Sequence, residues 1–337
     1  MKNNLTKFPV LLILFDRTEY LEELIVSISN YKPKRLYVSI DGPRSSSFDK
    51  DEQNILNVKK LIKEKITWEC EIFTNYSNKN YGPGEGPRIA INWFFEKEEA
   101  GIILEDDCIP SNSFFDFCSL LLEKYKNEKS VFLISGDNGG PLIEYNEFNY
   151  SFDFVTLPLI WGWATWKDRW EQYILDTEIW RNSFSSNKKY LKSYGNPEKL
   201  IVNKLFRNFS KIKDKNYKYW DFQLFSTILI RDKLCIIPKY NLISNKGFGK
   251  NSTNNFLENY RSNYPTKELQ YLKFPTRTAL NKKINNKLLL KVHTNFYEKK
   301  YIKENNFFKY IYFYNSKVKN FYQKILNFIA WRIKSLT

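Results

Sequence analysis

The stretch Gly101-Ile-Ile-Leu-Glu-Asp-Asp107 places three adjacent carboxylates directly after an apolar run. A short apolar run of this kind is typical of a strand buried on both faces. Three neighbouring carboxylates repel one another unless a cation neutralises them. Their oxygens suit Mg²⁺ or Mn²⁺, which proteins hold through one or two carboxylates together with substrate phosphates. The stretch therefore predicts a buried strand that ends on a divalent cation site; an acidic turn exposed to water is the alternative.

The first 110 residues alternate between strand and helix patterns. Strands are predicted over residues 9–15, 36–40, 69–75 and 101–104, and helices over 18–31, 54–66 and 88–98. This alternation predicts an open, twisted, mostly parallel sheet flanked by helices. Ligands bind such sheets beyond the carboxyl ends of the strands. Asp16, Asp41 and the 105–107 carboxylates all lie at or beside such ends, so we expect them to share one site.

Two residues of the first strand ends allow more than one interpretation. Asp41 fits a carboxylate that accepts hydrogen bonds from a base or a ribose, and it fits equally a simple Asp-Gly-Pro turn. Arg17 fits a phosphate contact made by charge-assisted hydrogen bonds, or a solvated residue at the start of a helix.

The segments after residue 110 add helices, strands and an aromatic region. Helices are predicted over residues 111–126 and from Trp220, and strands over 131–135 and 234–238. The i, i+3, i+7 spacing of Trp163, Trp166 and Trp170 favours one helical stripe packed into the core. Trp161 precedes that stripe and is the better candidate for stacking on an acceptor sugar.

A glycine-bearing loop follows at residues 245–253. Gly247 and Gly249 are flanked there by Lys246 and Lys250. A loop of this composition could close over a diphosphate and exclude water from a reactive donor. An ordinary polar surface loop is the alternative.

The composition excludes several classes of protein. Apolar residues form 42% of the 337 positions, which excludes a wholly disordered chain. The net charge is +16, but residues 280–337 hold 13 Lys and Arg against two acids. The basic excess therefore avoids the main domain, which argues against a nucleic-acid-binding protein. Four scattered cysteines and one histidine argue against a Cys/His zinc site.

The chain is expected to be cytoplasmic. The apolar run at residues 10–15 is shorter than a signal-peptide core, and no stretch approaches the roughly 20 apolar residues of a membrane span. Aromatic residues interleaved with Lys in the tail predict interfacial helices that bind an anionic surface, such as the cytoplasmic face of the inner membrane. A solvated helical extension that packs on the main domain is the alternative.

Several motifs, taken in order, resemble one enzyme family. They are Phe15-Asp-Arg-Thr18, Val38-Ser-Ile-Asp41, Ile103-Leu-Glu-Asp-Asp107 with Pro110 and Phe114-Phe115, Trp220-Asp221, Cys235-Ile-Ile-Pro238 and Gly247-Phe-Gly249. The ordered set resembles the metal-dependent glycosyltransferases of the GT-A fold. Within these it is most similar to the N-acetylglucosaminyltransferase I family, which begins complex N-glycan branches, and its bacterial relatives. The match spans roughly residues 9–250 and is vague around 180–215.

The resemblance implies a role for each matching residue. Asp107 would be the metal ligand, with Mn²⁺ or Mg²⁺ as the cofactor. Asp221 would be the general base, although the family has two consecutive aspartates after that Trp and this chain has Phe222. The candidate donor-binding residues are Arg17, Asp41, Arg88, Glu105, Asp106, Lys246 and Lys250. The candidate acceptor residues are Trp161 and Asp137.

The resemblance also implies a function. It predicts an inverting glycosyltransferase that moves a sugar from a nucleotide-diphospho-sugar to a glycan or lipid-linked glycan, in cell-surface polysaccharide or lipopolysaccharide synthesis. A UDP-sugar is the favoured donor, with UDP-GlcNAc one candidate. We predict a GT-A catalytic domain over 1–255, with a nucleotide-sugar half up to about 110, and a basic helical extension over 256–337. A non-catalytic sugar-binding module and a basic nucleic-acid-binding protein are the alternatives.

Overall fold

Ten strands and seven helices occur in the part of the chain that the structure describes. This computed structural model describes residues 6–140, 145–176, 178, 179, 182, 220–248 and 263–293. The strands are β1 Val10–Leu14, β2 Arg35–Ile40, β3 Glu71–Tyr76, β4 Ala100–Glu105, β5 Cys108–Pro110, β6 Val131–Ser135, β7 Phe152–Val155, β8 Trp163–Trp166, β9 Leu234–Pro238 and β10 Ile243–Asn245. The helices are α1 Leu21–Tyr31, α2 Phe48–Lys65, α3 Gly82–Phe95, α4 Asn112–Lys124, α5 Lys167–Trp170, α6 Asp221–Ile230 and α7 Lys282–His293.

Eight of the strands form one mixed sheet in the order β3-β2-β1-β4-β8-β6-β9-β7. The strands β3, β2, β1 and β4 are parallel neighbours, and β6 is parallel to β9. β8 runs antiparallel between β4 and β6, and β7 is an antiparallel edge strand. β5 and β10 pair separately. The predicted α/β class with a mainly parallel sheet flanked by helices is confirmed.

Both faces of the sheet are covered because its central strands are apolar on both sides. Val10 and Leu12 of β1 belong to one buried cluster, together with residues of α1, α2 and α4. Leu11, between them, belongs to a second cluster with residues of α3, α6 and α7. Side chains alternate between the faces of a strand, so a continuous apolar run is required to serve two layers of helices.

The predicted helical stripe of tryptophans is wrong. Residues 163–166 form β8, which pairs with β4 on one side and β6 on the other. Trp163 therefore packs with the α3 and α6 cluster, whereas Trp166 faces the opposite layer and donates its indole N–H to the Leu122 carbonyl at 3.1 Å. The hydrogen bonds that residues 163–166 form with strands on both edges outweigh a tryptophan spacing that fits a helix. A helix begins only at Lys167.

Helix α3 begins at Gly82, six residues before the predicted start at Arg88. The Asp41 carboxylate accepts the backbone N–H groups of Tyr81 and Gly82, at 2.9 and 2.8 Å. Gly82 has a φ of 73°, a left-handed conformation that suits glycine. A carboxylate that satisfies donors at the start of a helix stabilises it, and this partner lies 40 positions away along the chain.

The described part of the predicted extension packs on the main body. Ile284, Leu288 and Leu289 of α7 are fully buried, and they belong to the same cluster as α3 and α6. Asn285 accepts the backbone N–H of Thr156 at 2.8 Å, which ties α7 to the segment after β7. The boundary at residue 255 stays a prediction, and the tail from residue 294 lies outside the described residues. None of the described helices is long and apolar enough to cross a bilayer.

An ion pair between Arg44 and the buried carboxylate of Asp51 fixes the loop between β2 and α2. The Asp51 side chain has no exposed surface, and it accepts hydrogen bonds from the Arg44 backbone N–H, Nε and Nη2 at 3.0, 2.7 and 2.7 Å. The Ser47 hydroxyl donates a further bond at 3.1 Å. These hydrogen bonds, led by those from the Arg44 side chain, lower the pKa of Asp51 to about 2. The folded state therefore holds Asp51 ionised below the pH at which an unfolded chain would protonate it.

We expect Asp51→Asn to lower the free energy of unfolding by about 1–3 kcal/mol near neutral pH, because the hydrogen bonds from Arg44 lose their charged acceptor. A lowered folded-state pKa stabilises the fold above the unfolded pKa of about 4, and this contribution is lost as the pH falls toward 2. The difference between the two proteins should therefore shrink as the pH falls. Urea unfolding followed by circular dichroism between pH 7 and pH 3 measures it.

Asp49→Asn is the matched control, because Asp49 lies in the first turn of the same helix with an exposed side chain. It should change the unfolding free energy by less than about 0.5 kcal/mol at every pH. An Asp51→Asn effect that stays constant over this pH range would contradict the assignment.

Candidate functional site

A cleft of about 380 Å³ opens at the carboxyl ends of the parallel strands. Its walls come from the ends of β1 to β4, the first turns of α3, Trp161 and the start of the loop after β10. Arg17, Asp41 and all three of the 105–107 carboxylates line it. Strand ends that point the same way meet at one edge of the sheet, which brings Arg17 and Asp107 together although they are 90 positions apart along the chain.

The floor of the cleft is one row of side chains that runs across four strands. The strand register aligns Asn75 with Ser39, Ser39 with Ile13, and Ile13 with Glu105. All four residues line the cleft. The row presents an amide, a hydroxyl, an aliphatic group and a carboxylate in that order. This row of side chains can accommodate a ligand with a planar, polar end beside Asn75 and Ser39 and with a group beside Glu105 that needs a charged partner.

Arg17 bridges the carboxylates at the end of β4. Its Nη1 lies 3.1 Å from Asp107 Oδ2 and 3.5 Å from Asp106 Oδ1. Burial lowers the pKa of Arg17, but the fields of Asp106 and Asp107 outweigh it, and the pKa is raised overall. Arg17 is thus a resident cation that neutralises part of the acidic cluster.

Arg17 does not neutralise all of the negative charge of the 105–107 carboxylates. Burial raises the pKa of Glu105, and the neighbouring carboxylates of Asp107, Asp106 and Asp221 raise it further. Burial and the charge of Asp107 likewise raise the pKa of Asp106, against the opposing effect of Arg17. Partly buried carboxylates that lie close together bind protons readily, and a second cation in the cleft would displace those protons.

The segment after β10 packs directly on Asp107. Lys246 donates its backbone N–H to the Asp107 carbonyl at 2.8 Å, and Asn245 Nδ2 lies 3.4 Å from Asp107 Oδ1. Gly247 is so close that a Cβ atom placed there would lie 1.9 Å from Asp107 Oδ2. The first three residues of the predicted lid loop are therefore in contact with the acidic cluster, and Gly249 and Lys250 lie outside the described residues.

Asp41 is committed to the backbone around it. Besides the two bonds at the start of α3, it accepts the Gly42 N–H at 2.9 Å and the Asn80 Nδ2 at 3.3 Å. Burial raises the pKa of Asp41, and the backbone hydrogen bonds partly offset that effect. Of the two interpretations of Asp41, the structure shows the turn-forming one, and a direct contact with a nucleotide stays a prediction.

Asp221 begins α6 behind the acidic cluster. The preceding Trp220 is buried and stacks on Trp163, with 5.8 Å between the ring centroids. Asp221 Oδ1 accepts the Phe222 N–H at 3.0 Å, and burial raises the pKa of its carboxyl group. A carboxylate with a raised pKa is a stronger base than an exposed one. Asp221 also acts on Glu105, whose pKa its charge raises, although it does not line the cleft itself.

The remaining predicted residues lie in different places. Trp161 lines the cleft, and its ring meets the edge of Phe248 at 5.5 Å. Asp137 is buried after β6, where Oδ1 accepts the Gly139 N–H at 2.7 Å. Arg88 pairs with Glu85 at 2.9 Å and lines a neighbouring groove instead of this cleft.

The sequence patterns gave no role to several of the cleft residues, among them Arg44, Ser39 and Asn75. Arg44 lies on the outer wall, and Ser39 and Asn75 form half of the floor. Arg44 follows a Gly-Pro turn without any motif around it. The position of Asn75 opposite Ser39 depends on strand register, which a single sequence does not reveal.

The acidic cluster fits a divalent metal in part. Hard carboxylate oxygens are the right chemistry, and the shortage of positive charge favours a cation. Within the described ranges, however, no three side chains of His, Cys, Asp or Glu converge to hold a metal ion. Asp107 Oδ2 also faces Arg17. The arrangement suits a metal that Asp107 would hold together with phosphate oxygens and water, as Mg²⁺ usually binds, and not a cage made by the protein alone.

Comparisons with known proteins leave the family of this chain open. No protein-family model matches the sequence. No curated protein matches it. The N-acetylglucosaminyltransferase resemblance therefore stays a hypothesis.

The solved structures that are similar at a low level include the following three. HddC from Yersinia pseudotuberculosis has 12% identity and a TM-score of 0.24, over 38% of this chain and 56% of HddC. A 4-diphosphocytidyl-2C-methyl-D-erythritol synthase from Anaerococcus prevotii has 10% identity and a TM-score of 0.27, over 67% and 99%. A UDP-glucose pyrophosphorylase complexed with UDP-glucose has 9% identity and a TM-score of 0.30, over 68% and 90%. Values this low establish neither a family nor an activity.

We expect Gly247→Ala to push the loop off Asp107, because the added Cβ would overlap the carboxylate. The Lys246 backbone N–H should then lose its bond to the Asp107 carbonyl and exchange with solvent at least about tenfold faster. Amide hydrogen exchange measured by NMR detects the change at that residue.

Gly86→Ala is the matched control, since a Cβ there would lie 3.3 Å from Asp41 Oδ2 and needs only a small adjustment. It should leave exchange at Lys246 unchanged. Unaltered exchange at Lys246 in Gly247→Ala would show that the loop does not rest on Asp107.

Proposed function

We propose that this chain is a glycosyltransferase of the GT-A type, which moves a sugar from a nucleotide-diphospho-sugar to a hydroxyl group of an acceptor. The observation that carries the proposal is the cleft at the strand ends, where Arg17, Asp41 and the 105–107 carboxylates meet. All five residues belong to the ordered motifs that resemble such enzymes. A UDP-sugar is the favoured donor, and UDP-GlcNAc is one candidate.

In this proposal the nucleotide lies along the floor of the cleft. Ser39 and Asn75 offer hydrogen-bonding groups for the base or ribose, and the diphosphate lies toward Arg17 and the acidic cluster. Glu105 and Asp106 would contact the ribose or the donor sugar. Trp161 would stack on the acceptor sugar, since it forms the wall that Phe248 supports.

Asp107 would hold Mn²⁺ or Mg²⁺ once donor phosphates complete the coordination. The chemistry that such a metal supplies is neutralisation of the charge that develops on the departing diphosphate. Arg17 contacts Asp107 and would release it, or share it, as phosphates enter the cleft.

Asp221 would take the proton from the acceptor hydroxyl as that oxygen attacks the anomeric carbon. Its raised pKa favours proton acceptance, and its charge acts on Glu105, which lines the cleft. Only one catalytic carboxylate is required, because the leaving diphosphate is stabilised by cations and needs no proton. This requirement differs from that of glycoside hydrolases, which need two carboxylates.

The acceptor proposed is a growing surface glycan, either free or linked to a lipid. The basic, aromatic tail of residues 294–337 supports a position at the cytoplasmic face of a membrane, because Lys side chains attract anionic lipids. That segment lies outside the described residues, so the support comes from its composition.

We expect the affinity for UDP to depend on a divalent metal through Asp107. In the parent protein, Mn²⁺ should strengthen UDP binding at least about tenfold over binding in EDTA, because metal and phosphates complete one another's coordination. In Asp107→Asn that dependence should be lost. Titration calorimetry with and without Mn²⁺ measures both values.

The control for this experiment is Asp116→Asn, on α4 and away from the cleft, which should keep the metal dependence. UDP affinity that is equal in Mn²⁺ and EDTA in the parent protein would refute the metal proposal.

We expect Asp221→Asn to lower the catalytic rate by about 10²–10⁴-fold, the usual effect of removing a general base, with little change in UDP affinity. The acceptor is unknown, so the rate measured is the slow transfer of sugar from each donor in a panel of nucleotide-sugars to water. Glu178→Gln, which removes an exposed carboxylate, should react as the parent does. A parent protein that binds donors but never turns them over would indicate a sugar-binding module instead.

A further inference from the structure

Arg44 stands on the outer wall of the cleft, between the end of β2 and the start of α2. The buried carboxylate of Asp51 accepts hydrogen bonds from Arg44 Nε and Nη2, at 2.7 Å each. Two-point contact of this kind holds a guanidinium in one orientation. The inner edge of Arg44 is therefore fixed by the protein itself.

Two further contacts set the direction of the outer edge. The guanidinium carbon lies 5.0 Å from the centroid of the Phe15 ring, and Nη2 lies 3.1 Å from Asp16 Oδ2. The two N–H groups of Nη1 take part in none of these bonds. The side chain is 46% exposed although Asp51 is fully buried, and Arg44 lines the cleft.

The charges of the cleft indicate which ligand group would use these donors. Among the described lining residues, Arg17 and Arg44 are the two cations. Arg17 is engaged by Asp106 and Asp107, whereas the bonds of Arg44 go to Asp51 and Asp16 through Nε and Nη2. A diphosphate in the cleft needs hydrogen-bond donors besides the Nη1 group that Arg17 shares with Asp106 and Asp107, and the Nη1 group of Arg44 can supply them.

We propose that Arg44, positioned by Asp51, binds a phosphate group of the nucleotide through its Nη1 donors. This inference rests on the proposed function, because it assumes that a nucleoside diphosphate occupies the cleft. Arg44 is then a binding residue, and Asp51 is a positioning residue that acts through it.

The test separates phosphate binding from folding. Removing Arg44 alone leaves Asp51 buried without its partner, which destabilises the fold. The double variant Arg44→Gln/Asp51→Asn instead places two neutral amides side by side. Lys50→Gln is the control, because it removes one positive charge from an exposed position in the first turn of the same helix. Melting temperatures of all variants establish that they are folded.

Titration calorimetry in Mn²⁺ measures the affinities for UDP, CDP, GDP and ADP and for the matching nucleosides. For the diphosphate that the parent binds most tightly, the double variant should bind at least about tenfold more weakly, since a charge-assisted hydrogen bond is lost. Its affinity for the nucleoside should be unchanged, as should both affinities of Lys50→Gln. Asp51→Asn alone should lose diphosphate affinity by a smaller factor, because Arg44 is present but no longer held.

Each remaining outcome overturns the inference. Equal loss of nucleoside and diphosphate affinity would show that the pair only shapes the cleft wall. A folded double variant with parental affinity for the diphosphate would show that Arg44 does not bind phosphate, while the proposed function would stand. A parent protein that binds none of the four diphosphates would refute the proposed function together with this inference.

Discussion

One guanidinium facing several carboxylates in a partly buried cleft governs the chemistry of this molecule. Arg17 lies within 3.5 Å of both Asp106 and Asp107, yet the pKa values of Glu105 and Asp106 are still raised. The acidic cluster therefore attracts further positive charge, either as protons or as a cation. A ligand that carries a cation into the cleft would be stabilised by the negative charge that Arg17 leaves unneutralised.

The sheet creates this cluster, and its register creates the rest of the cleft. Parallel strands end at one edge, so the residues that follow β1, β2 and β4 must meet there. The same register sets Asn75 and Ser39 beside Ile13 on the floor. Because side chains alternate along a strand, a shift by one residue would turn this whole row to the other face.

Some of the polar side chains in and behind the cleft hold the local backbone or a neighbouring side chain in place. The carboxylate oxygens of Asp41 accept hydrogen bonds from backbone N–H groups at the start of α3. The resemblance to a known family had instead suggested that Asp41 contacts a nucleotide. Asp51 lies in a stretch of sequence that contains no recognisable motif. Its buried carboxylate nevertheless fixes the orientation of the Arg44 guanidinium.

The sequence by itself determined the α/β class, the strands that carry the site and the presence of carboxylates at their ends. These features depend on local apolar runs and on helical spacing, which neighbouring residues reveal. The same local reasoning failed for Trp163 and Trp166. Their spacing fits a helix, but pairing with β4 and β6 holds this segment as a strand. Only the tertiary structure decided that Arg17 faces Asp107 across 90 positions, and that Asn245 reaches it across 138. Contacts between distant segments arise from the folded chain as a whole, so no window of sequence contains them.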